Sequence, residues 1–203
     1  MLGFFEFLEH TGFVSFFTLN CFVSAFALAT ILERIFMLLF RYSFDGKNFM
    51  QNVERYVLAN DSTQAINYCN TSQAPLAKVV KAGLVKANRG GMAVSMGMDE
   101  ALLQVTPQIE KRIGTLWSYA NIATLVGLIG TIVGLILAFQ GLSYASPEQR
   151  ADLLGRGIAE AMYNTAWGLM IAVSCIFAHL ILSGIAKKII GDLDYYSSRL
   201  ENL

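Results

Sequence analysis

The residues able to do chemistry in this 203-residue chain are few, and most of them lie in or beside long apolar runs. Glu33, Arg34, Glu160 and His179 are the ionisable ones. A charge at membrane depth costs a few kcal/mol unless it is paired or wet, so each needs a reason to be there. Glu33 and Arg34 fall near the end of the first run, where long side chains snorkel to the interface and act as anchors. Glu160 opens the third run; it reads either as a cap-type carboxylate stabilised by a helix N-terminus or as a functional charge. His179 has the chemistry of a proton relay, although a hydrogen-bonded structural role is the plainer reading.

Two hydroxyls, Thr131 and Thr165, sit inside stripes of small residues. Ala123, Gly127, Gly130, Thr131, Gly134, Ala138 and Gly141 recur at three- and four-residue steps, as do Ala161, Thr165, Gly168, Ala172 and Cys175. Small-residue faces let membrane helices approach closely, so these two are expected to pair, with Gly127, Gly130, Gly134 and Gly168 as packing residues. On pattern alone each threonine bonds the backbone of its own helix. Met92, Met96 and Met98 have no Cys or His beside them and read as helix packing. Cys21, Cys69 and Cys175 form no CxxC pair and read as small apolar fillers. No GxSxG, HExxH or GxxxxGK[ST] motif is present, so no enzyme, metal or cofactor is expected.

The elements that carry these residues follow from composition. Hydrophobic residues make up 55% and charged residues 15%, against about 25% charged in soluble domains. Lys+Arg and Asp+Glu both number 15, so no basic surface attracts nucleic acid. A bilayer core takes about 20 apolar residues of helix. Membrane helices are expected at 14–38, 117–143 and 160–185, separated by a helical cytoplasmic domain at 39–116 and a periplasmic loop at 144–159. Residues 1–13 form the outer N-terminus and 186–203 the inner tail. The fold class is an all-α membrane protein, with two of the three spans extended into the cytoplasmic helices. Pro75 suits the first turn of one of those helices, Arg89-Gly90-Gly91 interrupts them, and a long helix from near Met92 is expected to kink at Pro107. Orientation follows from Arg41, Lys47, Arg55, Lys111 and Arg112 on the large loop and Lys187, Lys188 and Arg199 on the tail: N-terminus outside, C-terminus inside. The acidic start, with Glu6 and Glu9, lacks the basic region of a cleaved signal.

The stretch AxLVGLIGTIVGLILAF (Ala123–Phe139, with Thr124 at x) and the stretch GIAEAMYNTAWGL (Gly157–Leu169) resemble the paired motifs of the MotA/TolQ/ExbB family. Three spans and this length resemble its ExbB/TolQ branch. The resemblance implies a pentamer in the bacterial inner membrane around two copies of a small single-span ExbD/TolR-like partner that carries the membrane aspartate. It implies that Thr131 and Thr165 line the pore, which displaces the backbone-bonding reading of both, and that Glu160 is the pore-associated glutamate. The implied function is a proton channel and stator-type subunit that turns ion-motive force into mechanical work for outer-membrane transport, envelope maintenance or motility. Two threonines supply few ligands for dehydrated Na⁺, which makes the proton the expected ion. The chain departs from the family at Ala123-Thr124, where AP is common, and at Val173-Ser174, where a proline is common; straighter helices are expected. A passive helical scaffold is the alternative, in which the glycine faces matter and the threonines and Glu160 do not.

Overall fold

A computed structural model of the chain describes the backbone of residues 2–42, 45–59, 61–144 and 146–201, and their side chains apart from residues 2–15, 40 and 41. The described residues are mostly helical, with short turns between the helices, and contain no strand. Helix α1 is Leu2–Phe36, closed by a π-helical turn at Met37–Arg41. Then come α2 (Gly46–Leu58), α3 (Ser62–Asn70), α4 (Pro75–Val85), a 3₁₀ turn at Ala87–Arg89, α5 (Gly91–Glu110), α6 (Ile113–Gly141) and α7 (Arg150–Glu201). Three stretches are long and apolar enough to cross a membrane: Phe16–Leu39, Gly91–Gly141 and Arg150–Glu201.

Local chemistry explains the short helices. The side chain of Asp45 accepts from Asn48 N at 3.3 Å and that of Asp61 from Gln64 N at 3.0 Å, capping α2 and α3. Pro75 occupies the first turn of α4, where its missing N–H is no loss. Gly90, at φ 95°, takes the left-handed turn between the 3₁₀ segment and α5.

The helices differ from expectation in four places. Helix α1 begins at Leu2, twelve residues before the expected span. The break before the second span lies at Lys111–Arg112, where Arg112 has φ 60°; α5 continues past Pro107 to Glu110. Helix α7 begins at Arg150, so most of the expected 144–159 loop is helical, and α7 continues to Glu201 through the expected tail. No proline interrupts 150–201, and its Ala- and Leu-rich text propagates helix easily. The methionines are the fourth difference: Met98 is fully buried, but Met92 and Met96 are exposed and fill no core.

The chain forms two compact units. One comprises the chain up to Leu32 with Gly114–Leu180. Its core is built from Ala27, Ala120, Ala123, Ile171, Ala172 and Cys175, with Val23, Tyr119, Trp167 and Ile176 packed against them. Small side chains dominate because the helices touch at the backbone. A Cβ at Gly168 would lie 2.5 Å from the Ala123 carbonyl oxygen, one at Gly134 2.8 Å from Ala161 Cβ, and one at Gly157 2.5 Å from Ala138 Cβ. Gly141 faces open space. Leu125, Leu128, Ile132, Ile136 and Phe139 cover the outward side of α6.

The other unit comprises Glu33–Ile113 with the chain from Ile181 on. In it α4 packs tightly on α5: a Cβ at Gly83 would meet Met98 Cγ at 2.6 Å, and one at Gly97 the Ala82 carbonyl at 2.7 Å. Phe49 stacks on Tyr68 at 5.2 Å, joining α2 to α3, and Arg199 on α7 pairs with Glu54 on α2 (Nη2 to Oε2, 2.9 Å). Arg34 does not snorkel. It is 2% exposed, 3.5 Å from Glu33 Oε1 and 3.5 Å from the Gln108 carbonyl, while Glu33 also pairs with Arg112. Cys69 and Cys175 are buried as expected of apolar fillers, whereas Cys21 is exposed. Burial pushes the Cys69 thiol up from 9.0 to about 11, against a smaller opposing pull from Lys81.

Two outcomes follow. Gly168→Ala should cost about 1–3 kcal/mol, because its new methyl meets a backbone carbonyl that cannot rotate away. Gly191→Ala, which enters open space inside α7, should instead stabilise by about 0.5–1 kcal/mol through helix propensity; thermal unfolding in detergent compares the two. For Cys69, the folded thiol keeps its proton where the unfolded one has lost it. Stability should therefore fall as pH rises from 9 toward 11 and show no contribution from this group below 9. Replacing Cys69 by Val should flatten that alkaline slope in pH-dependent unfolding curves.

Candidate functional site

Within the first unit, α6 and α7 meet along their glycine faces at Thr131 and Thr165. Gly127 is what brings the two side chains together. A Cβ there would lie 3.1 Å from the Asn164 carbonyl oxygen and 3.2 Å from Thr165 Cα, so a side chain would press α7 back by a few tenths of an ångström. The Gly127 carbonyl accepts Thr131 Oγ1 at 3.0 Å and Thr165 Oγ1 at 3.1 Å, and the two hydroxyls also contact each other. Thr131 thus bonds its own helix, as threonines in apolar helices do. Thr165 bonds the neighbouring helix instead.

This arrangement holds three hydrogen-bonding oxygens together in an otherwise apolar helix pair. Each hydroxyl has one proton to give and two lone pairs. One can donate to Gly127 and the other to its partner, or both to Gly127, so the pair has interchangeable proton arrangements. Both side chains are half-buried. Such a pair can orient a water or pass a hydrogen bond along.

Glu160 is exposed on α7. It lies ten residues into the helix, not at its start, which removes the reading of Glu160 as a cap stabilised by the helix N-terminus. The effect of a helix end fades within one turn, and α7 had already begun at Arg150. The carboxylate is five residues, about 7.5 Å of helix rise, before Thr165. The structure therefore brings Thr131 and Thr165 together and leaves Glu160 apart from them. His179 stacks obliquely on Trp117, ring centroids 6.3 Å apart.

Reading the spans by their charges missed the uncharged polar residues. Asn20 and Asn164 are both wholly buried, and among the described residues neither carboxamide has a hydrogen-bond partner; nor has Trp167 Nε1. Two asparagines inside otherwise apolar runs were the available signal. Asn164 lies directly against Gly130, so Gly130 makes room for a polar side chain as well as for a helix.

The two threonines can be weighed by a double-mutant cycle. Thr165→Val should cost about 0.6 kcal/mol, the average for a hydrogen bond between membrane helices. Thr131→Val should cost less, since the bond from Thr165 to Gly127 survives. Measured by thermal unfolding, the two changes should be non-additive; strict additivity would show that the hydroxyls do not share one network.

A profile of the MotA/TolQ/ExbB proton channel family matches residues 71–194, which include both threonines, Glu160 and all four packing glycines. The chain is 36% identical over 74 residues to biopolymer transport protein exbB1 of Vibrio cholerae, covering 36% of this chain and 32% of that one. It is 34% identical over 86 residues to the Tol-Pal system protein TolQ of Haemophilus influenzae, covering 42% and 37%. A longer match, 23% identical over 163 residues, joins it to an ExbB homologue of Methanothermobacter thermautotrophicus, covering 80% and 57%. The chain thus matches only about a third of the length of the first two relatives.

Proposed function

Because the chain belongs to the MotA/TolQ/ExbB proton channel family, in its ExbB/TolQ-like branch, we propose that it is the ring-forming, ion-conducting subunit of a membrane motor. In this reading five copies surround two copies of a small single-span partner of the ExbD/TolR type, and ion flow does mechanical work on that partner. The observation that carries the proposal is the Thr131–Thr165 pair at Gly127. It is a fixed polar step in the apolar helices of a family of proton channels.

The division of labour follows from side-chain chemistry. No aspartate lies between Thr11 and Leu32, Ile113 and Pro147, or Ala161 and Ala186. The group that binds and releases the proton at mid-membrane therefore belongs to the partner, and the threonines hold the water that delivers it. Glu160 governs the outer entrance, with the N-terminus outside and the large helical unit and C-terminus in the cytoplasm of the bacterial inner membrane. The proton is the ion, since two hydroxyls and a carbonyl make a poor cage for bare Na⁺. The exposed aliphatic side of α6 meets lipid or the neighbouring copy.

The experiment is proton flux into liposomes. The chain alone should assemble as a pentamer by native mass spectrometry and leak little; adding the single-span partner should open flux. Strong flux from the chain alone, or a stable monomer, would overturn the proposal. Glu160→Gln should lower partner-dependent flux severely without dispersing the ring. An unchanged flux would remove Glu160 from the path.

A further inference from the structure

The break between α5 and α6 runs against its own local sequence. Glu110, Lys111 and Arg112 are strong helix formers, and neither glycine nor proline occupies the turn. Yet Lys111 is extended, at ψ 133°, and Arg112 takes φ 60°, a left-handed conformation that costs any residue with a Cβ. Among the described residues no other non-glycine residue has a positive φ. A residue held in such a conformation needs surrounding contacts that impose it.

Those contacts come from the end of α1, within the same compact unit. The Arg112 guanidinium pairs with Glu33 Oε2. Arg34 Nη2 lies 3.5 Å from Glu33 Oε1, and Arg34 Nη1 lies 3.5 Å from the Gln108 carbonyl. In a continuous helix that carbonyl would accept the amide of Arg112, four residues on. The extended Lys111 turns the amide away, and Arg34 takes its place. Arg34 is buried, its Nε has no partner among the described residues, and it shares the Glu33 carboxylate with Arg112.

Straightening the break is therefore an exchange of bonds. The Gln108 carbonyl would return to the Arg112 amide, and the Glu33 carboxylate would be left to the buried Arg34. Arg112, whose side chain is half-exposed, would release its ion pair to water at little cost. Its backbone would relax to the helical conformation that its neighbours favour. Bonds of similar kind are lost and gained, which is the condition for an element with two arrangements.

We propose that Lys111–Arg112 is a two-state joint, latched in its bent form by Glu33 and Arg34 at the end of α1. When the Glu33–Arg112 pair opens, helix runs unbroken from α5 through 111–112 into the start of α6. The joint needs neither ion flow nor a partner, so it stands or falls separately from the proposed channel.

Hydrogen exchange of the full chain in nanodiscs, read by mass spectrometry over residues 108–117, tests the joint. The first four amides of a helix have no intrahelical acceptor, so joining α5 to α6 supplies acceptors at 113–116 and slows exchange there. Arg112→Ala and Arg112→Gly both remove the ion pair, but alanine favours helix whereas glycine accepts the left-handed turn. Corrected for intrinsic rates, exchange at 113–116 should slow roughly tenfold or more in Arg112→Ala and should not slow in Arg112→Gly. Unchanged or faster exchange in Arg112→Ala, or equal slowing in both variants, would overturn the proposal. Should Arg112→Ala fail to fold, salt decides the matter on the unaltered protein. Raising NaCl to about 1 M screens the half-exposed pair and should slow exchange in the same segment. Exchange that is unchanged or faster in salt would overturn the joint.

Discussion

The contact on which the rest depends is the approach of α6 to α7 at backbone distance. In lipid there is little hydrophobic gain in bringing two apolar helices together, so association rests on close packing and on bonds the lipid cannot supply. Gly127 and Gly168 provide both. Their missing side chains let each helix meet the backbone of the other, and the exposed carbonyl of Gly127 then becomes the acceptor for Thr165. A larger residue at Gly168 would meet a backbone carbonyl and part the helices, and one at Gly127 would press α7 back against the contact that aligns the hydroxyls. The polar step and the packing of this bundle are one feature, which is why small residues and threonines interleave along the same stripes.

That much was legible in the sequence, because helical periodicity puts residues three and four apart on one face whatever surrounds them. The stripes through Gly127, Thr131 and Gly134 and through Ala161, Thr165 and Gly168 pair as the spacing implies. The short helices were equally readable where local chemistry fixes an end, as Pro75 does for α4 and Gly90 for α5. What the sequence hid were the ends that hydropathy alone suggested. The start of α7 at Arg150 carries charges that mark the end of an apolar run, yet its residues still favour helix, so Glu160 is interior to α7. The break at Arg112 has no glycine or proline to announce it.

Arg34 and the two asparagines show a second limit. A charged residue at the edge of a span is normally free to reach water, but Arg34 is buried beside Glu33 and the Gln108 carbonyl, 74 residues away in sequence. Such a partner can be found only in three dimensions. Asn20 and Asn164 were passed over because they are neutral, although burying a carboxamide without a partner carries its own cost. The membrane helices thus hold more polar chemistry than their charges indicate.

The central claim is that the hydroxyls of Thr131 and Thr165 serve ion passage rather than assembly, and replacing both by valine tests it most directly. The double variant is to be reconstituted with the single-span partner, its ring checked by native mass spectrometry and its proton flux measured in the same preparation. An intact ring with flux reduced at least tenfold is the predicted result. An intact ring with undiminished flux would contradict the account and leave the chain a helical scaffold.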